Sequence, residues 1–240
     1  MLLLDVPYSE KDEAKALGAK WNSDLKKWYV VDRNDYYKFS KWILNNSANA
    51  IIAFEYIHII EGIQTCWKCG KKTRVIGLGI GEGMQFYGDY NNPQIQILED
   101  YVDPGEEIHL SWSDIESDIP PKLLKYLKQS YSVKTVFSKT LERYCFANCC
   151  DHCGVLQGNW FLFNEPDSPF STCFDENELL ERMANLKIFA IPIDDDLILK
   201  WNMSVSSNDS AYLKYGHYSE LVLSDDLRNE YISYKEMYNL

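Results

Sequence analysis

The sequence has no stretch suited to crossing a membrane. Its longest apolar run, Ala50–Ile63, is broken by Glu55, His58 and Glu61, whereas a spanning helix needs about 20 predominantly apolar residues. The start, MLLLDVPYSEKDEAK, turns acidic after four residues; it lacks the basic end, long apolar centre and cleavage site of a secretory leader. The expected location is cytoplasmic, with no membrane partner. Catalytic signatures are also missing. There is no HExxH, no GxSxG and no GxxxxGK[ST]. The four histidines, His58, His109, His152 and His217, are scattered. The glycine-rich stretch GLGIGEGMQFYGDYNNP runs on into MQFY and Asn91–Pro93, not into a helix carrying a lysine, so it reads as strands and turns and not as a phosphate loop. No repeat or low-complexity segment is present. These absences favour a non-enzymatic protein. An enzyme whose residues converge only in three dimensions stands as a second alternative.

Positive charge is scarce. Lys and Arg number 24 against 36 Asp and Glu, a net charge of -12. The deficit is uneven. Residues 1–46 carry eight basic against seven acidic residues, 47–175 carry ten against seventeen, and 176–240 carry six against twelve. Affinity for phosphates comes from basic contacts, so the N-terminal part is the best candidate for touching nucleic acid. The acidic body supports a different reading, a protein-binding inhibitor or DNA mimic that covers a basic surface. With 46% hydrophobic residues, 17 Tyr and 7 Trp, the 240-residue chain can bury a sizeable core.

The most legible stretch is LLLDVPYSEKDEAKALGAKWNSDLKKWYVV. Leu2–Val6 reads as a strand ended by Pro7. Ser9 is placed to cap a helix whose first turn holds Glu10, Asp12 and Glu13, and Gly18 is placed to stop it. Lys20–Asn22 and Lys27–Val31 read as strands around the turn NSDLK. A second helix over Asn34–Leu44 would turn Tyr37, Phe39, Trp42 and Ile43 inward. Residues 1–46 thus form a small α+β module. VPYSEKDEAKALGAKW, then KKWYV, then an aromatic helix ending in KWIL, resembles a small uncharacterised bacterial domain. That domain recurs in phage, plasmid and mobile-element proteins, sometimes attached to primase-like or other DNA-processing enzymes. The resemblance implies a nucleic-acid context and no particular reaction.

Within the hairpin, Lys20, Trp21, Lys26, Lys27, Trp28, Tyr29 and Arg33 interleave cations and rings. Such a surface can stack bases and neutralise phosphates. The competing reading puts Trp21 and Trp28 in the core, because small modules need large aromatics to bury area, and leaves the lysines in solvent.

Seven cysteines, an odd number, in a reducing compartment point to metal ligands before disulfides. TCWKCGKK and NCCDHCGV each hold Cys-x-x-Cys-Gly. Cys66, Cys69, Cys150 and Cys153 supply four sulfurs for a tetrahedral, structural Zn²⁺, with the glycines permitting the tight turns. Cys149 would leave a three-residue gap and is the spare; His152 could replace one sulfur. A redox CxxC should stand at a strand-to-helix junction, whereas both pairs lead into strand-like sequence, as in a zinc ribbon. TCWKCGKKTRVIGL and FSKTLERYCFANCCDHCGVLQGNWFL together resemble a zinc-ribbon-like bacterial segment that accompanies the N-terminal domain.

The expected fold is α+β: the N-terminal module, a mostly β body over 47–175 containing the zinc ribbon with a large insertion between its knuckles, and an α+β extension over 176–240. QIQILEDYV reads as a strand and DPGEE as a turn. PPKLLKYLKQSY reads as a helix with Leu123, Leu124 and Leu127 inward and Lys122, Lys125 and Lys128 exposed. DENELLERMANLKIF should form a helix capped near Asp175, and Asp194–Asp196 a hairpin turn. A final helix is expected near SDDLRNEYISYKEMYNL. The function that fits best is a zinc-stabilised module recognising a nucleic acid or a nucleic-acid-processing protein.

Overall fold

A computed structural model describes residues 1–89, 92–98, 107–204, 206–223 and 229–233. In chain order the strands and helices are β1 (Leu2–Leu4), α1 (Lys11–Ala16), β2 (Lys20–Asn22), β3 (Lys27–Val30), α2 (Ser40–Leu44), β4 (Asn49–Thr65), β5 (Lys72–Asp89), β6 (Asn92–Leu98) and β7 (His109–Trp112). Then come α3 (Pro121–Ser130), β8 (Val133–Ser138), β9 (Arg143–Asn148), α4 (Asn159–Phe163), α5 (Glu176–Met183), β10 (Lys187–Pro192), β11 (Leu197–Leu199), β12 (Asn202–Met203), α6 (Ala211–Tyr215), β13 (His217–Leu223) and β14 (Asn229–Ser233). The α+β class holds. The chain divides into two compact units, each assembled from three stretches: Met1–Glu55, Glu82–Val102 and Ile193–Trp201 in the first, Tyr56–Gly81, Asp103–Pro192 and Asn202–Leu240 in the second. These boundaries do not coincide with breaks at 46 and 175, because β4 and β5 each lend residues to both units.

In the first unit β1, β3 and β2 form an antiparallel sheet in the order β1-β3-β2. Leu2 pairs with Val30, Leu4 with Trp28, and Trp28 with Trp21. Alternation therefore puts Leu2, Leu4, Val30 and both tryptophans on one face, and Leu3, Tyr29 and Lys20 on the other. Leu2, Leu4 and Val30 join Ala14, Phe39 and Ile43 in the core. Ser9 does not cap α1: it lies inside a 3₁₀ turn, Tyr8–Glu10, and no side chain caps either start. Gly18, at φ +104°, ends the helix as expected. The second helix begins as a 3₁₀ segment, Arg33–Phe39, before α2. Three residues per turn bring Tyr36, Phe39 and Trp42 into line. Tyr36 is therefore buried, and Tyr37, expected inward, is half exposed.

β11 pairs antiparallel with Ile51–Ala53 of β4, and β10 pairs antiparallel with Tyr56–Glu61 of the same strand. Both run against β4, so Ile193–Asp196 is not the expected hairpin turn but a bulge between two successive pairings. It has a use: Asp196 accepts from Arg33 Nε and Nη2 at 3.1 and 2.9 Å and from the buried Tyr36 hydroxyl at 2.6 Å.

In the second unit β7 pairs with β5 and β12 with β7; on the other side β13 runs parallel to β10 and β14 antiparallel to β13. Part of the expected C-terminal helix is thus a strand, β14; the rest of that stretch, like residues 103–106 of the turn expected at DPGEE (103–107), lies outside the described residues. Leu179 and Met183 of α5 and Ala211 and Tyr212 of α6 pack on Ile60, Val75, Ile108, Leu110 and Ile188. The glycine alternation in β5 serves this packing: a Cβ at Gly79 would stand 2.5 Å from Ile108 Cγ2 and 3.2 Å from His58 Cβ. In α5 the Asp175 carboxylate accepts from Asn177 N and Glu178 N, as a cap should. In α3 Leu123 and Leu127 are buried as expected, with Tyr126 in place of Leu124. β8 and β9 form a separate two-stranded sheet.

Candidate metal centre and N-terminal cleft

The first knuckle is the connection between β4 and β5, and the second follows β9. Their backbones repeat one another. Cys66 N donates to Lys71 O and Cys150 N to Val155 O; Gly70 N donates to Cys66 O and Gly154 N to Cys150 O, all at 2.9 Å. Gly70 and Gly154 adopt φ of +70° and +67°, a conformation that glycine enters without a steric penalty.

The ligand atoms of Cys66, Cys69, Cys150 and Cys153 all lie within 4.8 Å of one another. Cys66 and Cys153 sulfurs are 3.7 Å apart, as are those of Cys69 and Cys150. Bonds of about 2.3 Å to a tetrahedral ion place sulfurs about 3.8 Å apart, so the cluster has the size of a metal site. The spacing is far beyond a disulfide bond of about 2.05 Å. Burial opposes ionisation of Cys66, but the N–H groups of Cys69 and Lys68 and the Gln157 amide outweigh it and bring the thiol down to about 6. Cys150 is likewise lowered: burial works against it, and the N–H groups of Cys153 and His152 prevail. Cys69 moves up to about 11; the Lys71 N–H favours its thiolate, but burial and the neighbouring thiols win. Four thiolates this close repel one another, and a bound cation would offset that repulsion.

The two spare candidates are accounted for. Cys149 is buried and its N–H bonds Ser132 O. His152 Nε2 lies 2.9 Å from Lys72 O, outside the cluster. One expectation fails: the second knuckle does not lead into a strand. Gly158, at φ +72°, turns the chain into the short helix α4. Sequence reasoning also missed the polar groups that join the knuckles. Asn148 pairs with both backbone groups of Ile76 at 2.8 and 2.9 Å. Asp151 accepts from Arg74 N, Thr73 Oγ1 accepts from Asp151 N, and Trp67 Nε1 donates to Leu156 O. Asn148 stands two residues before Cys150 and Asp151 lies between Cys150 and Cys153, which is the signal that could have drawn attention to them. Elsewhere in this unit, buried His109 Nδ1 meets Asp209 Oδ2 at 2.7 Å, and Asp209 also accepts from Ser206 N.

The first unit carries a cleft of about 650 Å³ where the β2–β3 hairpin faces the β1–α1 connection. It gathers Trp21, Lys26, Lys27 and Trp28 with Tyr8 and Lys11. Trp21 is half exposed, and its ring meets Trp28 edge-on at 5.6 Å. The core reading therefore holds for Trp28, which packs partly against the core, and fails for Trp21, which is half exposed. The remaining hairpin residues part company. Lys20 and Tyr29 lie on the opposite sheet face. Arg33 is held by Asp196, lies 3.7 Å from Glu82 Oε1 and stacks on Phe54 at 3.9 Å; it is a structural cation. Lys27 is tied to Asp5.

Residues 1–43 match the family described as Domain of unknown function (DUF5710). The chain is also similar to two proteins named DNA primase TraC from Escherichia coli, 44% identical over 48 residues and 44% identical over 50. These matches cover 20% and 21% of this chain and only 3% and 5% of those proteins. No solved structure matches the chain. Among the described residues no helix is long and apolar enough to cross a membrane.

Proposed function

We propose that the protein is a non-enzymatic, zinc-stabilised recognition module of mobile-element origin whose N-terminal cleft takes nucleic acid. Cys66, Cys69, Cys150 and Cys153 hold one Zn²⁺ in a closed four-sulfur site, with the knuckles as a zinc ribbon. A site whose four positions are all protein sulfur leaves none for a substrate, so the ion is structural. The observation that carries the recognition role is the half-exposed Trp21 over a cleft shared with Lys26 and Lys11, a ring-and-cation arrangement suited to a base and its phosphate. The similarity of this stretch to part of two DNA primases supports the same context.

The test is anisotropy titration of a labelled oligonucleotide at low salt with wild type, Trp21→Ala and Lys26→Glu, beside elemental analysis of protein purified without chelator. The reading expects about one zinc per chain and a binding loss of tenfold or so in Trp21→Ala. Binding indifferent to both cleft variants would discard the cleft. A metal other than zinc, or none, would discard the ion.

A further inference from the structure

The second unit has a more pronounced aromatic surface than the first. Beside the knuckles lies a groove of about 550 Å³, walled by Trp67, Phe137, Leu141, Trp160 and Phe161. All five side chains are more than half exposed, Trp67 at 68%. That is a poor arrangement for a surface meeting only water. Three of the rings are also held in place. Trp67 Nε1 is bound to Leu156 O and Trp160 Nε1 to Glu165 Oε1 at 2.7 Å. Phe137 is braced edge-on by Tyr144 at 5.4 Å. Both indole N–H groups are spent internally, so these side chains offer ring faces.

The charge around the groove runs against the rest of the chain. Residues 65–74 and 133–161 carry seven basic against two acidic residues in a protein of net charge -12. Arg74 is neutralised by Asp151 and Arg143 by Asp114. Lys68, Lys71, Lys72, Lys134 and Lys139 are exposed and make no ion pair among the described residues. Lys139 lines the groove, and Lys68 follows Trp67 in the chain.

We infer that this groove is a docking site for single-stranded nucleic acid, with bases stacked on Trp67, Phe137 and Phe161 and phosphates met by the unpaired lysines. Unpaired lysines in an acidic chain select a polyanion over an apolar peptide. Ring faces select a single strand, because a duplex keeps its base faces covered and presents only edges. The inference does not depend on the N-terminal cleft.

The experiment is anisotropy of fluorescein-labelled oligothymidylate, 20 nucleotides in length, with the full chain at low and moderate salt. Variants are the double substitution Phe137→Ala/Phe161→Ala, Lys139→Glu and Trp21→Ala, with zinc content and thermal melting of each as checks of folding. The double variant should lose about tenfold or more in affinity. Lys139→Glu should weaken binding and flatten its salt dependence, both with zinc retained. A loss confined to Trp21→Ala would overturn the groove and leave the cleft reading standing; a loss confined to the groove variants would do the reverse. No binding by wild type at low salt, or duplex bound as tightly as the single strand, would overturn the inference outright. If the double variant loses its zinc, Lys139→Glu, at an exposed position, decides the matter alone.

Discussion

Replacing Asp196 by alanine takes one acceptor away from three donors. The Tyr36 hydroxyl, 2.6 Å from it, belongs to a fully buried residue with no route to water; leaving such a group unpaired costs about 1–3 kcal/mol. The Arg33 side chain is 39% exposed, so its guanidinium can rehydrate, and its share is held to about 1 kcal/mol. The sum, about 3 kcal/mol, falls at the lower end of what breaking a buried pair costs. The assay is urea unfolding followed by tryptophan fluorescence, comparing midpoints at constant slope. A Tyr36→Phe background supplies the control: there Asp196→Ala should cost about 1–2 kcal/mol less, because the phenol that it strands is already gone. Asp196→Asn, which keeps the shape and one acceptor oxygen, should fall in between. A loss under about 1 kcal/mol, or an equal loss in both backgrounds, would refute the idea that this carboxylate organises the Arg33–Tyr36 corner.

Cys66→Ser and Cys150→Ser should each abolish metal retention and soluble folding of the second unit, checked by elemental analysis and limited proteolysis; retention of the metal by either would break the four-sulfur reading. His58 gives a pH effect of defined sign. Burial pulls its imidazole down to about 4 against a backbone bond to Gly79. The unfolded chain, titrating near 6.5, binds the extra proton in between. The His58 contribution is therefore full above pH ~6.5 and is lost as pH falls toward 4, by about 3 kcal/mol in all. Stability of His58→Phe across that window should fall less steeply than wild type; parallel curves would assign the acid sensitivity elsewhere. Gly216→Ala should destabilise by about 1–3 kcal/mol in a melting experiment, because a Cβ there would sit 2.6 Å from both the Tyr212 carbonyl and Ile188 Cδ1; an unchanged melt would mean that α6 shifts freely.

Short-range chemistry was legible in the sequence, and pairing over distance was not. Trp21, Trp28 and the turn at Asn22 could be placed because a hairpin is settled by local alternation, and the cysteines because each knuckle is a five-residue object with its own glycine. The meeting of Cys66 with Cys153 across the intervening insertion followed from stoichiometry, since two thiols do not fill a tetrahedron. A period of 3.6 predicts Tyr37 inward, whereas the chain adopts 3.0 over Arg33–Phe39. Asp194–Asp196 reads as a hairpin turn because it stands between two apolar runs; that Asp196 accepts from Arg33 depends on a contact 163 residues away. The apolar run after Gly154 predicts a strand, and Gly158, at φ +72°, redirects the chain into α4.

These two kinds of information meet at the groove. Trp67 sits inside the first knuckle, between Cys66 and Cys69, while Leu156 through Phe161 follow the second. The walls thus belong to segments about ninety residues apart, and their registration rests on what ties the knuckles together. Asn148 to Ile76, Asp151 to Arg74 and Trp67 to Leu156 make that tie with hydrogen bonds, each worth on the order of 1 kcal/mol. Closing a loop of that length costs several kcal/mol of chain entropy, more than these bonds recover alone. An ion bridging all four sulfurs would supply the difference. On this argument chelation should disassemble the groove without touching the first-unit cleft, so oligonucleotide binding lost to chelator but kept in Trp21→Ala would place both the metal and the recognition on the same side of the molecule's chemistry.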